Sequence, residues 1–212
     1  MKKLFFAFCL MASAGLAACA PTTSTTGASF TDPAYQGQMF TSLVVEADRA
    51  GLQERQAIEN ATAQALRQAG IAARTSLEIL PPTRNYNDAN VRQTLARAGA
   101  QGVIEIIPVD KQIHQEYFPP AYHPGIAHYG RGPYGYGGGM YFGPGYYDPG
   151  FVVSEPRVTY SVTLYSFPGY RKAWTGEFRT NGAGGMDYGD VGAHFGSALV
   201  QRLQQDGVIP GR

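Results

Sequence analysis

The chain predicts an α/β (α+β) fold: one small domain in which a mixed sheet of about five strands carries about three helices. The predicted order is β-α-β-α-β, a long loop, then β-β-α. Three observations support this. Short β-branched apolar runs alternate with segments of helical period in the first half. Two alternating strands joined by a tight turn follow in the second half. The last amphipathic segment opens on an acidic cap and stops at a glycine.

The elements follow in order. Phe40 to Ala47 (Phe-Thr-Ser-Leu-Val-Val-Glu-Ala) has the length and β-branching of a strand, and Asp48 is placed to cap a helix after it. Leu52 to Ala69 is helical, with Ile58, Ala61, Thr62, Ala65, Leu66 and Ala69 on one face and Glu54, Arg55, Glu59 and Arg67 largely elsewhere. Gly70 supplies a C-terminal stop. Ile71 to Leu80 reads as a second extended segment ended by Pro81-Pro82. Asn87 or Asp88 caps a short helix to about Ala98, with Val91 and Leu95 inward and Gly99 as its stop. Val103 to Val109 is a third strand. Short strands joined through helices favour parallel or mixed pairing.

Residues 117–151 interrupt this pattern. They hold ten Gly, six Pro, eight Tyr and three Phe, with charge only at Arg131 and Asp148. No helix tolerates that composition, and a long low-complexity loop is expected. Beyond Pro156, Val158, Tyr160, Val162 and Leu164 alternate with polar residues, Pro168-Gly169 turns the chain, and Arg171 to Thr180 returns with Trp174, Gly176 and Phe178 on one face. Trp174, the lone tryptophan, reads as core. Asp187 or Asp190 caps a final helix in which Val191, Phe195, Ala198, Leu199, Arg202 and Leu203 recur at helical spacing up to Gly207.

The N-terminus speaks to address rather than fold. Lys2 and Lys3 precede the apolar run Leu4 to Leu16, which is too short to span a bilayer. Residues 1–18 read as a signal peptide. The string Leu16-Ala17-Ala18-Cys19 resembles the lipobox of bacterial lipoproteins. The resemblance implies cleavage between Ala18 and Cys19, a diacylglyceryl thioether on Cys19, and acylation of its amine. Two or three chains hold a protein where one holds only reversibly. Ala20, standing where Asp favours inner-membrane retention in Gram-negative lipoproteins, implies the outer membrane, facing the periplasm. Residues 19–38, rich in Ser, Thr and Gly, read as a lipidated flexible tether ahead of a domain at 39–209. Cys9 leaves with the leader and Cys19 becomes a thioether, so thiol nucleophiles, thiolate metal sites and disulfides are excluded together.

The element order, the Gly/Tyr-rich insert and the segment Lys172-Ala173-Trp174-Thr175-Gly176 resemble a broad group of bacterial envelope lipoproteins without an assigned activity. They also resemble small periplasmic α/β modules of envelope assembly proteins. The resemblance implies a sheet with packed helices and supplies no catalytic residues.

Chemistry is otherwise sparse. The formal charge of +1 includes the two leader lysines, and no basic run exists, so nucleic acid is excluded as a partner. His114, His123, His128 and His194 match no tight metal spacing. Glu46, Glu78, Glu105, Glu116, Asp187 and Asp190 fit strand faces and helix caps better than an acid–base pair. Ser161, Ser166 and Ser197 lack an activating partner in the sequence. Gly182, Gly184 and Gly185 precede a helix without phosphate-loop spacing. No cofactor, no metal and no enzymatic activity are expected; the alternative kept beside this is an enzyme of unrecognised type acting on envelope polymers, for which Asp187, Asp190 and the four histidines are the groups to test. Candidate binding residues are Tyr134, Tyr136, Tyr141, Phe142, Tyr146 and Tyr147, because tyrosines offer large amphipathic contact area at low entropy cost. Three readings stand for their loop: an unselective low-complexity segment, a protein-contact surface including self-association, and a surface for glycan or peptidoglycan.

Overall fold

Two long strands organise the molecule. The computed structural model describes residues 23–123, 127–131, 138–142 and 145–211. In chain order the elements are β1 (Ser24–Thr31), β2 (Ser42–Ala47), α1 (Leu52–Gln68), β3 (Ala72–Thr75), α2 (Ser76–Ile79), α3 (Asp88–Arg97), β4 (Gly102–Phe118), β5 (Ala121–His123), β6 (Ala127–Arg131), β7 (Gly138–Phe142), β8 (Tyr146–Asp148), β9 (Phe151–Ser166), β10 (Arg171–Asn181) and α4 (Tyr188–Gln205). Among the described residues, six strands form one sheet in the order β1-β10-β9-β4-β2-β3. β2 runs parallel to β3 and β4, and the β4–β9, β9–β10 and β10–β1 pairs are antiparallel. The mixed α+β architecture is the predicted one; among the described residues the main sheet has six strands where about five were expected, two short two-stranded ladders are added, and four helices stand where about three were expected.

One sheet face is dry. Leu43, Val45, Ile104, Ile106, Val158, Tyr160, Val162 and Leu164 from the strands meet Ile58 and Leu66 of α1 and Val191, Phe195, Leu199 and Leu203 of α4. Burying each such side chain contributes roughly 1.5–3 kcal/mol. A smaller cluster on the opposite face gathers Val44, Val103, Leu80 and Leu95. The two long helices touch through small residues. A β-carbon on Gly196 would lie 2.9 Å from the backbone nitrogen of Thr62, and one on Gly192 would lie 2.4 Å from Ile58 Cγ1. The i, i+4 pair on α4 thus receives the i, i+4 pair Ile58 and Thr62 of α1.

Capping is mostly as expected. Asp187 and Asp190 form a reciprocal capping box at the start of α4. Asn87 Oδ1 accepts from the Asn90 amide at 2.8 Å. Gly70, Gly99 and Gly207 take positive φ after their helices. The Trp174 segment also has a physical account. Trp174 and Phe178, with rings 6.1 Å apart, close over Gly176, where a β-carbon would sit 2.8 Å from the indole. Trp174 is 1% exposed.

Five expectations are corrected. Residues 24–31 of the expected tether form edge strand β1, paired along its length with β10. Polar composition hid this because the pairing is made by backbone, by a Thr25–Thr180 hydroxyl contact at 3.0 Å, and by Gly27, whose bare backbone receives the Phe178 ring. Within 117–151 the described residues form strands where a loop was expected. β4 and β9 stay paired through Tyr117↔Val152 and Phe118↔Phe151, and the ladders β5–β8 and β6–β7 follow. Ile71 to Leu80 is extended only over Ala72–Thr75 before turning into α2, capped by the Thr75 hydroxyl at 3.2 Å from the Glu78 amide. Asp48 does not cap α1. The chain turns at Arg49, whose φ is 58°, and Gly51 is the N-cap. Finally, the inward stripe of α1 is rotated toward Glu59 and Ala63, both fully buried.

Candidate functional site

The ribbon formed by β4 and β9 is the feature the core does not use. Gln112, Arg157, Asn181 and Ser24 lie level with one another across four strands. Past that level β4 and β9 continue as a pair without a flanking strand among the described residues. A period-2 backbone then leaves side chains on both faces in solvent. Ile113, Tyr117 and Val152 are exposed along one face, and Phe118 and Phe151 stack at 5.0 Å on the other. Gly150, at φ 76°, turns the chain, and its amide donates to Asp148 Oδ1 at 3.0 Å. In the next ladder Tyr122 faces Tyr147 and His123 faces Tyr146, their rings 6.3 Å apart. Tyr122, Tyr146 and Tyr147 are 66%, 65% and 61% exposed. Lys111 braces the ribbon's root: its ammonium lies 2.6 Å from Glu54 of α1 and 5.4 Å from the centre of the Tyr188 ring on α4.

Of the predicted binding residues, the structure brings Tyr146 and Tyr147 onto one exposed strand. Tyr141 and Phe142 belong to β7, whose backbone pairs with β6 at His128 and Ala127. Tyr134, Tyr136, Ala18 and Cys19 lie outside the described residues. Sequence reading missed Tyr122, Phe118, Phe151 and Tyr117 as members of the same surface. The available signal was the two-residue alternation entering the segment from Ile113 and leaving it at Val152.

Several of the remaining candidate groups have structural employment. Asp187 and Asp190 cap α4. Tyr165 donates to Glu105 at 3.4 Å, and Arg74 pairs with Glu78 at 3.9 Å. Ser166 meets the Tyr35 hydroxyl at 2.6 Å. His194 is exposed on α4. No group of three His, Cys, Asp or Glu side chains gathers among the described residues.

Glu59 is the largest surprise among the charged residues. It is 0% exposed, and its Oε1 accepts from the Ala47 amide (3.0 Å), Arg55 Nε (2.8 Å) and Ser76 Oγ (2.7 Å), while Oε2 accepts from the Leu77 amide at 3.1 Å. This carboxylate ties the end of β2 to α1 and to the start of α2. Arg55 also reaches Glu46 at 3.5 Å. Burial pushes the Glu46 carboxyl up from the ordinary range; Arg55 opposes that, and neighbouring carboxylates reinforce it. Asp206 is a second knot. It accepts from Ser29, from the Trp174 indole at 2.8 Å and from Arg202, which approaches to 3.1 Å. Burial alone would raise Asp206, but those hydrogen bonds outweigh it and hold the carboxyl below the ordinary carboxylate range. Beside it, Ser29, Phe30, Tyr35, Met39 and Asp206 line an open cleft of about 520 Å³.

No protein-family model matches the chain, and no curated protein matches it. Among solved structures it is similar to the PelC dodecamer from Paraburkholderia phytofirmans, at 15% identity and TM-score 0.47, over 85% of this chain and 98% of that one. It is also similar to lipoprotein GNA1162 from Neisseria meningitidis, at 14% identity and TM-score 0.40, over 78% of this chain and 99% of that one. A PDZ domain protein from Parabacteroides distasonis follows at 10% identity and TM-score 0.30, over 91% of this chain and 38% of that one.

Proposed function

We propose that the protein is a non-catalytic, lipid-anchored interaction module of the bacterial envelope, held by acylated Cys19 in the outer membrane and facing the periplasm. Its contact element is the aromatic ribbon. The observation that carries this reading is a row of exposed aromatic rings on a strand pair outside the core. Monomeric domains rarely leave such apolar surface without a use. Asp187 and Asp190 are engaged in the cap of α4, and Glu46 and Glu59 in the junction of β2, α1 and α2. A photo-reactive amino acid in place of Tyr147 should trap an envelope component, protein or lipid, in living cells, and the same probe at His194 on α4 should not. No adduct from position 147 would sink the reading.

A second reading, peptidoglycan or glycan contact, is favoured by Tyr122, Tyr146 and Tyr147 lying on facing strands with their rings in solvent. Retention of the protein on purified peptidoglycan, lost in a Tyr122→Ala/Tyr147→Ala variant, would support it. Unchanged retention in the variant would count against it.

A further inference from the structure

Strand β1 fixes the direction from which the chain arrives. Ser24 is level with Arg157, where the ribbon departs, and β1 runs away from that end toward Trp174. Traced backward, β1 and β9 head the same way, toward the ribbon's tip. Between Cys19 and Ser24 there are five residue steps, a reach of at most about 18 Å. From Arg157 to Phe151 there are six steps of β9, about 20 Å of strand. The Phe118–Phe151 stack therefore stands at least as far out as the farthest place the acylated cysteine can hold the membrane. Tyr122, Tyr146 and Tyr147 lie beyond it in the chain.

We infer that the ribbon's aromatic end is seated in the headgroup region of the bilayer that receives the protein's own acyl chains. The inference rests on the lipid-anchor reading and names what the ribbon meets. Tyrosine belongs chemically at such an interface, with its ring against acyl carbon and its hydroxyl among headgroups. The described part of this end, residues 113–123, 127–131, 138–142 and 145–152, holds one cation, Arg131, against the two carboxylates Glu116 and Asp148, and so carries no net positive charge. Attraction to anionic lipid is therefore not the driving term, and seating is independent of lipid charge. A protein partner or a second copy would require the ribbon to turn away from the membrane, against the direction set by β1 and within the reach of five residues. The acyl chains and the ribbon are two attachments at one end of the domain, and together they restrict its tilt.

The test uses the full acylated protein in phosphatidylcholine vesicles, with and without phosphatidylglycerol. Tyr147→Trp, or Tyr122→Trp on the facing strand, places an indole in the ribbon. Lys172→Trp places one at the opposite end of the sheet, and the wild type gives the baseline of buried Trp174. The indole at 147 should shift to the blue, lose most of its emission to lipids brominated on the acyl chain and resist iodide, equally in both lipid mixtures. The indole at 172 should behave in the reverse way. Iodide quenching at 147 equal to that at 172, in protein whose mass shows acylated Cys19, overturns the ribbon's seating and leaves the anchor standing. A Cys19 without acyl groups overturns both.

Discussion

Replacing Glu59 tests whether one buried carboxylate holds the β2–α1–α2 junction. Glu59→Leu removes the acceptor of two amides, Ala47 and Leu77, and of Ser76 Oγ, and takes from Arg55 its nearer carboxylate partner, leaving it Ser76 and the more distant Glu46. An unsatisfied buried donor costs about 1–3 kcal/mol, and breaking a buried ion pair by deleting one member costs about 3–5 kcal/mol. The terms overlap, because the same desolvated oxygens serve all four donors, so a total near 4 kcal/mol is expected. Glu59→Gln keeps one oxygen but turns an NH₂ toward a donor, and a loss of about 2 kcal/mol follows. In a chain of this size each kcal/mol lowers Tm by roughly 2–4 °C. Urea unfolding followed by Trp174 fluorescence measures both losses. A Glu59→Gln variant within about 0.5 kcal/mol of wild type would refute the reasoning, since it would mean the four short contacts carry no net stability.

Gly196→Ala forces a methyl group against the Thr62 backbone, and a loss of about 1–3 kcal/mol is expected in the same assay, whereas Ala198→Gly costs only helix propensity. The Tyr160 hydroxyl is buried without a hydrogen-bond partner among the described residues, so Tyr160→Phe should leave stability unchanged or raise it by up to about 1 kcal/mol. The depressed Asp206 carboxyl contributes stability above its ordinary value of 3.8 and loses it as pH falls through its lower folded value. Asp206→Asn should therefore cost about 1 kcal/mol at neutral pH, the figure being reduced by solvent screening. The gap to wild type should close below pH 3.8, as read by unfolding curves across pH.

Legibility tracked how much of an element's reason for existing was local. Helix α4 could be read from end to end, because its capping box, its apolar spacing and Gly207 all sit within its own twenty or so residues. Strand β1 could not be read. Ser, Thr and Gly bury little, and what orders them is an edge of β10 about 150 residues away, matched to Gly27 by the Phe178 ring. The ribbon was half legible: its aromatic content marked the segment, while Gly and Pro masked the alternation that pairs Phe118 with Phe151. Glu59 was misplaced on the outer face because charge normally marks that face. The Arg55–Glu59 spacing of four was the one clue to a buried pair. The proposed lipid attachment at Cys19 is in the opposite position. It is written entirely in local sequence, and the described residues begin after it.

The edge position of β1 also has a mechanical meaning. A pull on the residues preceding Ser24, directed along the strand, does not peel the sheet open one bond at a time. In an antiparallel ladder the hydrogen bonds stand perpendicular to the strands, so the whole β1–β10 pairing from Ser24↔Asn181 to Thr31↔Trp174 shares the load in shear. The far end is pinned as well, by the Asp32 amide to the Ala173 carbonyl at 2.9 Å and by Ser29 on Asp206. Tension entering at the N-terminus is thus delivered to the centre of the fold, and the strand behaves as a gripped strap rather than a loose lead.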